Sequence, residues 1–230
     1  MIRVPPPTIG LLFSGGLDSS IAVGHLLGQG FEVQPIYVAS GLVWEEAELP
    51  FARKFLAAMA TTRLHDLVLL DMTAADLYGD HWSITGIGVP DAESADEAVH
   101  LPGRNPLLML KARMWCQLNG IDRLALGCLG NNPFADASEQ FFAEFGRLLD
   151  RATDSAVHVF RPLAKFTKRQ VMELGRDLPL QHTFSCIDPA EGLHCGRCNK
   201  CAERKAAFRT RGRDDPTEYG ELNTTIKHFR

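Results

Sequence analysis

The stretch Ile9-Gly10-Leu11-Leu12-Phe13-Ser14-Gly15-Gly16-Leu17-Asp18-Ser19-Ser20 decides the reading of this chain. Residues 9–13 form a short apolar run that stops at Ser-Gly-Gly, the pattern of a buried strand. Residues 17–27 then carry apolar side chains at 17, 21, 23, 26 and 27, one face of a helix ending near Gly28 and Gly30. Two adjacent glycines let the backbone turn sharply and bring its N–H groups close to a ligand. The helix that follows adds its free N–H groups and the positive end of its dipole. Ser14, Ser19 and Ser20 add hydroxyl donors, so the whole reads as an anion cradle suited to phosphates. It is not a Walker A loop, because no Gly-Lys-Ser/Thr is present, and the third glycine of the dinucleotide fingerprint is missing. The competing reading is a strand–helix turn in which Ser or Asp merely caps the helix.

Outward from this stretch, apolar runs alternate with helical patterns. Further strands are predicted at 33–39, 67–72, 122–127 and 156–160, and helices at 49–63, 107–118, 138–150 and 167–175. The alternation predicts an α/β fold, a doubly wound parallel sheet covered on both faces, with ligands beyond the carboxyl ends of its strands. Residues 1–180 are expected to form this body. Residues 181–230 read as an appendage, a Cys-rich loop followed by a basic helix. Segment 79–104 is long and acidic (Asp80, Asp91, Glu93, Asp96, Glu97) with weak periodicity, the mark of either a mobile loop or a functional lid.

Composition narrows the function classes. Of 230 residues, 45% are hydrophobic, 23% charged and 8% aromatic, which excludes a disordered chain. Against 24 Lys and Arg stand 28 Asp and Glu, a net charge of −4, which excludes a strongly basic nucleic-acid coat. No apolar run of about 18 residues occurs, so no membrane span is expected. The start MIRVPPPTIG lacks a charged region followed by an apolar stretch, and the expected location is cytoplasmic.

Six cysteines divide into two groups. Cys116 and Cys128 stand alone in apolar segments and read as buried small hydrophobes. Cys186, Cys195, Cys198 and Cys201 crowd together, with Gly196 easing the turn between the second and third. Four thiolates fit a closed, structural zinc site. An iron–sulfur cluster and redox thiols are the rival readings. His182 and His194 lie nearby and read as supporting or surface residues rather than ligands.

Ser-Gly-Gly-Leu-Asp-Ser after an apolar strand resembles the PP-loop of the N-type ATP pyrophosphatases. The resemblance implies an adenine-nucleotide fold with ATP bound by Leu12, Phe13, Ser14, Gly15, Gly16, Leu17, Asp18, Ser19 and Ser20. Asp18 falls on the motif aspartate that helps to place magnesium and phosphates. Adding Thr183-Phe184-Ser185-Cys186, His194-Cys195-Gly196, Cys198, Cys201 and Ala207-Phe208 narrows the resemblance to the 7-cyano-7-deazaguanine synthase family. Leu101-Pro102-Gly103-Arg104-Asn105 resembles that family's Pro-Gly-Arg-Asn stretch. Arg161-Pro162-Leu163 followed by Thr167-Lys168 resembles its Pro-Leu and Lys segment. Two stretches depart. Ala39-Ser40-Gly41-Leu42 stands where the family has Asp-Tyr-Gly-Gln. The run from Gly127 to Phe142 keeps the Phe but lacks the family's Asp-Cys-Arg. Both fall at carboxyl ends of strands, which implies kept ATP machinery and a rewritten acceptor pocket.

The resemblance implies an ATP-dependent carbon–nitrogen ligase of queuosine biosynthesis, using ATP with Mg2+, a small-molecule carboxylate and ammonia, and working as a homodimer. Asp18, Arg104 and Lys168 are the candidate catalytic residues, and Arg104, Asn105 and Asp136 the candidate acceptor contacts. Each has a plainer reading. Arg104 could form a surface ion pair with the acidic segment, Asn105 could cap a helix, and Lys168 could be a solvated first-turn lysine. Asp136 and Glu139 could be helix-start acids favoured by the dipole. Arg197, Lys200, Arg204, Lys205, Arg209, Arg211 and Arg213 read first as a solvated helix face and second as a patch for tRNA. A tRNA-modifying enzyme that adenylates a base oxygen, and a non-catalytic nucleotide- and zinc-binding module, stay open at this level. Asn223-Thr224-Thr225 spells a glycosylation sequon that a cytoplasmic chain leaves idle.

Overall fold

Alternate residues of the central strands are driven to opposite faces of a sheet, and each face is covered by helices. The computed structural model describes residues 6–130, 132, 134–210, 212 and 214–220. Pro5, Asn131, Pro133, Arg211, Arg213 and the sequon at Asn223 lie outside the described residues. Strands β1 (Thr8–Leu12), β2 (Glu32–Ala39), β3 (Val68–Asp71), β4 (Arg123–Leu126) and β5 (His158–Phe160) form a five-stranded sheet in the order β3-β2-β1-β4-β5. Every pairing is parallel. This is the doubly wound arrangement expected from the sequence.

On one face, Ile9, Leu11, Val33 and Ala125 pack beneath α1 (Leu17–Gly28), α2 (Glu45–Ala58), α7 (Lys168–Leu174) and α8 (Asn199–Arg209). On the other, Ile36, Val38, Leu124 and Leu126 meet α5 (Arg104–Leu118) and α6 (Glu139–Thr153). Gly10 lets α5 approach the sheet, since a Cβ there would lie 2.5 Å from the Cys116 sulfur. Strand order reverses between β1 and β4, so the crevice at their carboxyl ends is the switch point where ligands bind in such sheets. Gly127, just after β4, keeps this crevice tight: a Cβ on it would stand 3.0 Å from the backbone of Ser19. No helix among the described residues is long and apolar enough to cross a membrane.

Two helices begin earlier than their sequence pattern. The second starts at Glu45 rather than 49 and ends at Ala58, running through Pro50. Glu45, Glu46 and Glu48 occupy its first turn, where the dipole favours acids. The Glu45 carboxylate also accepts from the N–H groups of Ser40 and Gly41, closing the end of β2. Helix α5 starts at Arg104, ahead of Pro106, because a first-turn proline lacks only an N–H the helix does not need.

The acidic segment is built structure. It contains the short helices α3 (Ala75–Tyr78) and α4 (Trp82–Thr85) and a 3-10 turn at Asp96–Val99. Trp82 stacks on Trp44 at 5.8 Å, and Trp44, Leu101, Phe184 and the four clustered cysteines share one apolar core.

Candidate active site

The glycine-rich loop closes on itself by hydrogen bonds. The Gly16 N–H donates to Ser14 Oγ (3.3 Å), and Ser19 Oγ donates to the Gly16 carbonyl (3.2 Å). Gly15 holds a φ of +76°, and a Cβ on it would meet the Ala52 Cβ at 2.9 Å, so both conformation and space require glycine. A cleft of about 480 Å³ opens above the loop. Leu12, Phe13, Ser14, Asp18 and Ser19 line it, and Gly16 and Leu17 line a smaller neighbouring cavity. Gly15 and Ser20 line neither cavity. Ser20 is fully buried, and its hydroxyl has no hydrogen-bond partner.

Asp18 and Lys168, 150 residues apart, meet at the cleft: Lys168 Nζ donates to both carboxylate oxygens, at 2.8 and 3.0 Å. Thr167 fixes the lysine by capping α7, with Gln170 completing a capping box. Lys168 is therefore an ion-paired residue of the cleft and not a solvated first-turn lysine. Its Nζ also lies 3.8 Å from Glu203, which bonds Lys200 Nζ at 2.8 Å. Burial alone would raise the Glu203 carboxyl, but Lys200 and Lys168 outweigh it and hold it below the usual range.

Arg104 forms no surface ion pair among the described residues. It reaches into the cleft, and its Nε is buried without a hydrogen-bond partner. Asn105 caps nothing; the N-cap of α5 is Gly103, and Asn105 Nδ2 instead donates to Asp136 Oδ1 at 3.1 Å. Asp136 sits in a 3-10 turn, while Ser138 caps α6 and Glu139 pairs with Arg161. A recess of about 120 Å³ contains Asp136 and Asn105 beside Trp44, Trp82, His100 and Phe134, and His100 stacks on Phe134 at 4.7 Å. The structure thus places Arg104, Asn105 and Asp136 on one recess, which shares Arg104 and Asn105 with the main cleft.

Sequence reasoning missed the pair Tyr37–Glu48. The Tyr37 hydroxyl donates to Glu48 Oε2 at 2.7 Å inside the cleft wall. Burial pushes the Glu48 carboxyl up to about 7, against the opposing pull of the Tyr37 hydrogen bond and Arg104. Burial likewise pushes the Tyr37 hydroxyl up, with Glu48 adding to the shift. A tyrosine in the buried half of β2 was the available signal. Cys116 is the buried hydrophobe expected, but Cys128 is only partly buried and lines the cleft. Burial raises the Cys128 thiol to about 11 and keeps it protonated.

The basic stretch is a solvated face in part: Arg197 and Arg209 are exposed and Lys200 and Lys205 half-buried, but Arg204 is not. Arg204 is 1% exposed, donates to Thr183, Ser185 and the Leu180 carbonyl, and lies over the Phe208 ring. Arg197 pairs with Asp188, and Lys205 donates to the Gly196 carbonyl. Among the described residues, Arg204, Arg197 and Lys205 bind within the C-terminal segment, while Arg209 is exposed.

The four clustered cysteines are all buried, with their sulfurs within 4.8 Å of one another. Sulfurs of Cys186 and Cys198 are 3.8 Å apart, and those of Cys195 and Cys201 4.0 Å. Tetrahedral zinc at its usual sulfur distance sets thiolates about 3.8 Å apart, so one such ion fits. A polynuclear iron–sulfur cluster divides its thiolates between separate irons and needs some of them farther apart. Backbone N–H groups of Asp188, Cys195, Arg197 and Cys198 point at the sulfurs, as expected where thiolate charge is to be stabilised. His194 is no ligand: it is buried, its Nε2 accepts from the Ser185 N–H, and burial lowers it to about 3, so it stays neutral.

Residues 9–212 match the family described as queuosine biosynthesis protein QueC. The chain is 33% identical over 231 residues to the 7-cyano-7-deazaguanine synthase of Myxococcus xanthus, covering 92% of this chain and 96% of that one. It is 29% identical to the 7-cyano-7-deazaguanine synthase of Methanothermobacter thermautotrophicus, covering 91% and 98%. Among solved structures, a 4-thiouridine synthetase in complex with RNA and bound ATP superposes with a TM-score of 0.52 at 17% identity. That match covers 90% of this chain and 50% of that one, and it shows a shared fold. By the extent of the family match and these identities, the chain belongs to the queuosine biosynthesis protein QueC family.

Proposed function

We propose that the chain is an ATP-dependent carbon–nitrogen ligase that adenylates 7-carboxy-7-deazaguanine or a related carboxylate and converts it with ammonia to an amide and then a nitrile. The observation that carries this reading is the Asp18–Lys168 pair at the glycine-rich loop, in a cleft that Arg104 also lines. In this reading residues 1–180 carry the ATP chemistry, and residues 181–230 are a metal-held segment whose helix α8 lines one side of the cleft.

The loop N–H groups and the α1 terminus hold the pyrophosphate oxygens of ATP. A carboxylate oxygen of the acceptor bonds to the α-phosphorus as the bond to the bridging oxygen breaks, and the electron pair leaves with pyrophosphate. Lys168 exchanges Asp18 for phosphate oxygens and stabilises the charge that develops there. Magnesium, when bound with ATP, supplies further charge neutralisation, and Asp18 is the loop carboxylate that would hold it. Ammonia displaces AMP from the acyl carbon to give the amide. A second activation, at the amide oxygen, lets the nitrogen lose its protons and AMP depart, leaving the nitrile. Asn105 and Asp136, with the rings of Trp44, Trp82, His100 and Phe134, offer a flat polar-edged recess for a planar heterocycle.

The test is mass spectrometry of the products formed with ATP, magnesium, ammonia and 7-carboxy-7-deazaguanine. The nitrile is the expected product. Turnover of another acid alone would reassign the acceptor, and no pyrophosphate release with any carboxylate would overturn the reading.

A further inference from the structure

Among the described residues, Arg104 and Lys200 are the two that line all three cavities, the main cleft, its neighbour over the loop and the Asp136 recess. They mark the junction at which an ATP held by the loop would meet an acceptor held in the recess. Arg104 opens α5, and Lys200 lies in the first turn of α8. Their convergence was not legible in sequence, where Lys200 belonged to a run of surface-like basic residues.

The backbone under Lys200 is fixed from two sides. Cys198 is the N-cap of α8, and Cys201 belongs to the same thiol cluster. Asn199 donates from its N–H to the Pro90 carbonyl (3.0 Å) and from Nδ2 to the Ser94 carbonyl (2.9 Å). The lysine side chain is free to change partner. Its bond to Glu203 is a partly exposed pair on one helix, of a kind that contributes little. Glu203 must also serve Lys168 at 3.8 Å. The remaining acids of these cavities are committed elsewhere or open to water. Asp18 accepts from Lys168, Glu48 from Tyr37 and Asp136 from Asn105, and Asp96 is exposed. Two cations brought to one junction repel unless an anion lies between them.

We infer that Lys200 is a catalytic residue of this chain, binding with Arg104 the acceptor carboxylate and the α-phosphate as the two anions come together. This rests on the adenylation reading. Two anions cannot approach to bonding distance without cations to offset their repulsion, and Lys200 supplies one from the metal-held helix. In the transfer, the carboxylate oxygen gains its bond to phosphorus and pyrophosphate leaves with the electron pair.

The experiment compares the zinc-loaded wild type with Lys200→Met, Lys200→Arg and the control Arg209→Met in acceptor-dependent pyrophosphate release. Lys200→Met is expected to lose about a hundredfold in kcat/KM for the acceptor, with the ATP KM changed less than about threefold. Lys200→Arg is expected to recover most of the loss, and Arg209→Met to match wild type. Metal content and Tm should equal the wild-type values in every variant. A Lys200→Met enzyme as active as wild type overturns the inference. So does an equal loss in the Met and Arg variants accompanied by lost metal or a lowered Tm, which would mark a purely structural lysine. An inactive wild type would instead overturn the adenylation reading, and the inference with it.

Discussion

The Phe184 N–H donates to the Gly15 carbonyl at 2.8 Å, tying the glycine-rich loop to the segment that runs into Cys186. The loop is therefore held from two directions, by this bond and by Ala52 packed against the Gly15 α-carbon. Gly15→Ala places a Cβ in the left-handed region and against Ala52 at once. The expected cost is about 2 kcal/mol, or roughly 4–8 °C in Tm. ATP affinity should fall as well, since the strain is relieved by moving the loop. Thermal melts and ATP titration check both, and an unchanged Tm would contradict the geometry.

The same bond couples the cysteine cluster to the loop. The purified protein is expected to carry about one zinc per chain. Its removal by chelation, or Cys198→Ser, should lower Tm, because loops with little core of their own take folding energy from the ion. ATP binding should weaken with it, as Phe184 loses its anchor. Elemental analysis and ATP titration before and after chelation are the measurements. Iron in place of zinc, or ATP affinity indifferent to the metal, would contradict this.

Glu48 gives the fold a pH signature. Its carboxyl is raised from 4.5 to about 7, so between those values the folded chain binds more protons than the unfolded one. Stability contributed by this site is then present at low pH and lost as pH rises through about 7, by about 3 kcal/mol in all. Glu48→Gln keeps an acceptor for the Tyr37 hydroxyl and removes the charge. Denaturant melts at pH 5 and pH 8 should show the variant gaining on wild type at the higher pH. Parallel behaviour would mean that Glu48 is solvated.

Asp136 is expected to separate acceptor from nucleotide. Held by Asn105 in the recess, it is expected to read the polar edge of the acceptor. Asp136→Ala should lower kcat/KM for the acceptor by at least about a hundredfold, because a buried polar partner is left unmatched. ATP parameters should change little. Steady-state kinetics with each substrate varied separately decide this, and equal losses for both substrates would indicate general damage instead.

Much of this architecture was legible in the sequence because its signals are local. The apolar run 9–13, the Gly15-Gly16 break and the helical spacing from Leu17 act within a few residues of one another. So do Cys195, Cys198 and Cys201. What escaped depends on contacts between distant segments. Lys168 and Asp18 were each singled out, but nothing in either segment announces their pairing. Arg204 sits in a run of charges that looks solvated, and only the fold around Thr183 and Leu180 buries it. Glu48 was hidden because α2 begins four residues before its apolar pattern does, at acids that the helix dipole favours.

The central claim, activation of a carboxylate by adenylation over the glycine-rich loop, is tested most directly by following oxygen-18 from the acceptor. An acid labelled in both carboxylate oxygens is turned over with ATP, magnesium and ammonia, and the AMP is weighed by mass spectrometry. The account expects AMP carrying one labelled oxygen, because the atom that attacked the α-phosphorus departs with it. With Asp18→Ala, no labelled AMP should form although the chain stays folded. Unlabelled AMP, or label recovered in inorganic phosphate, would contradict the account.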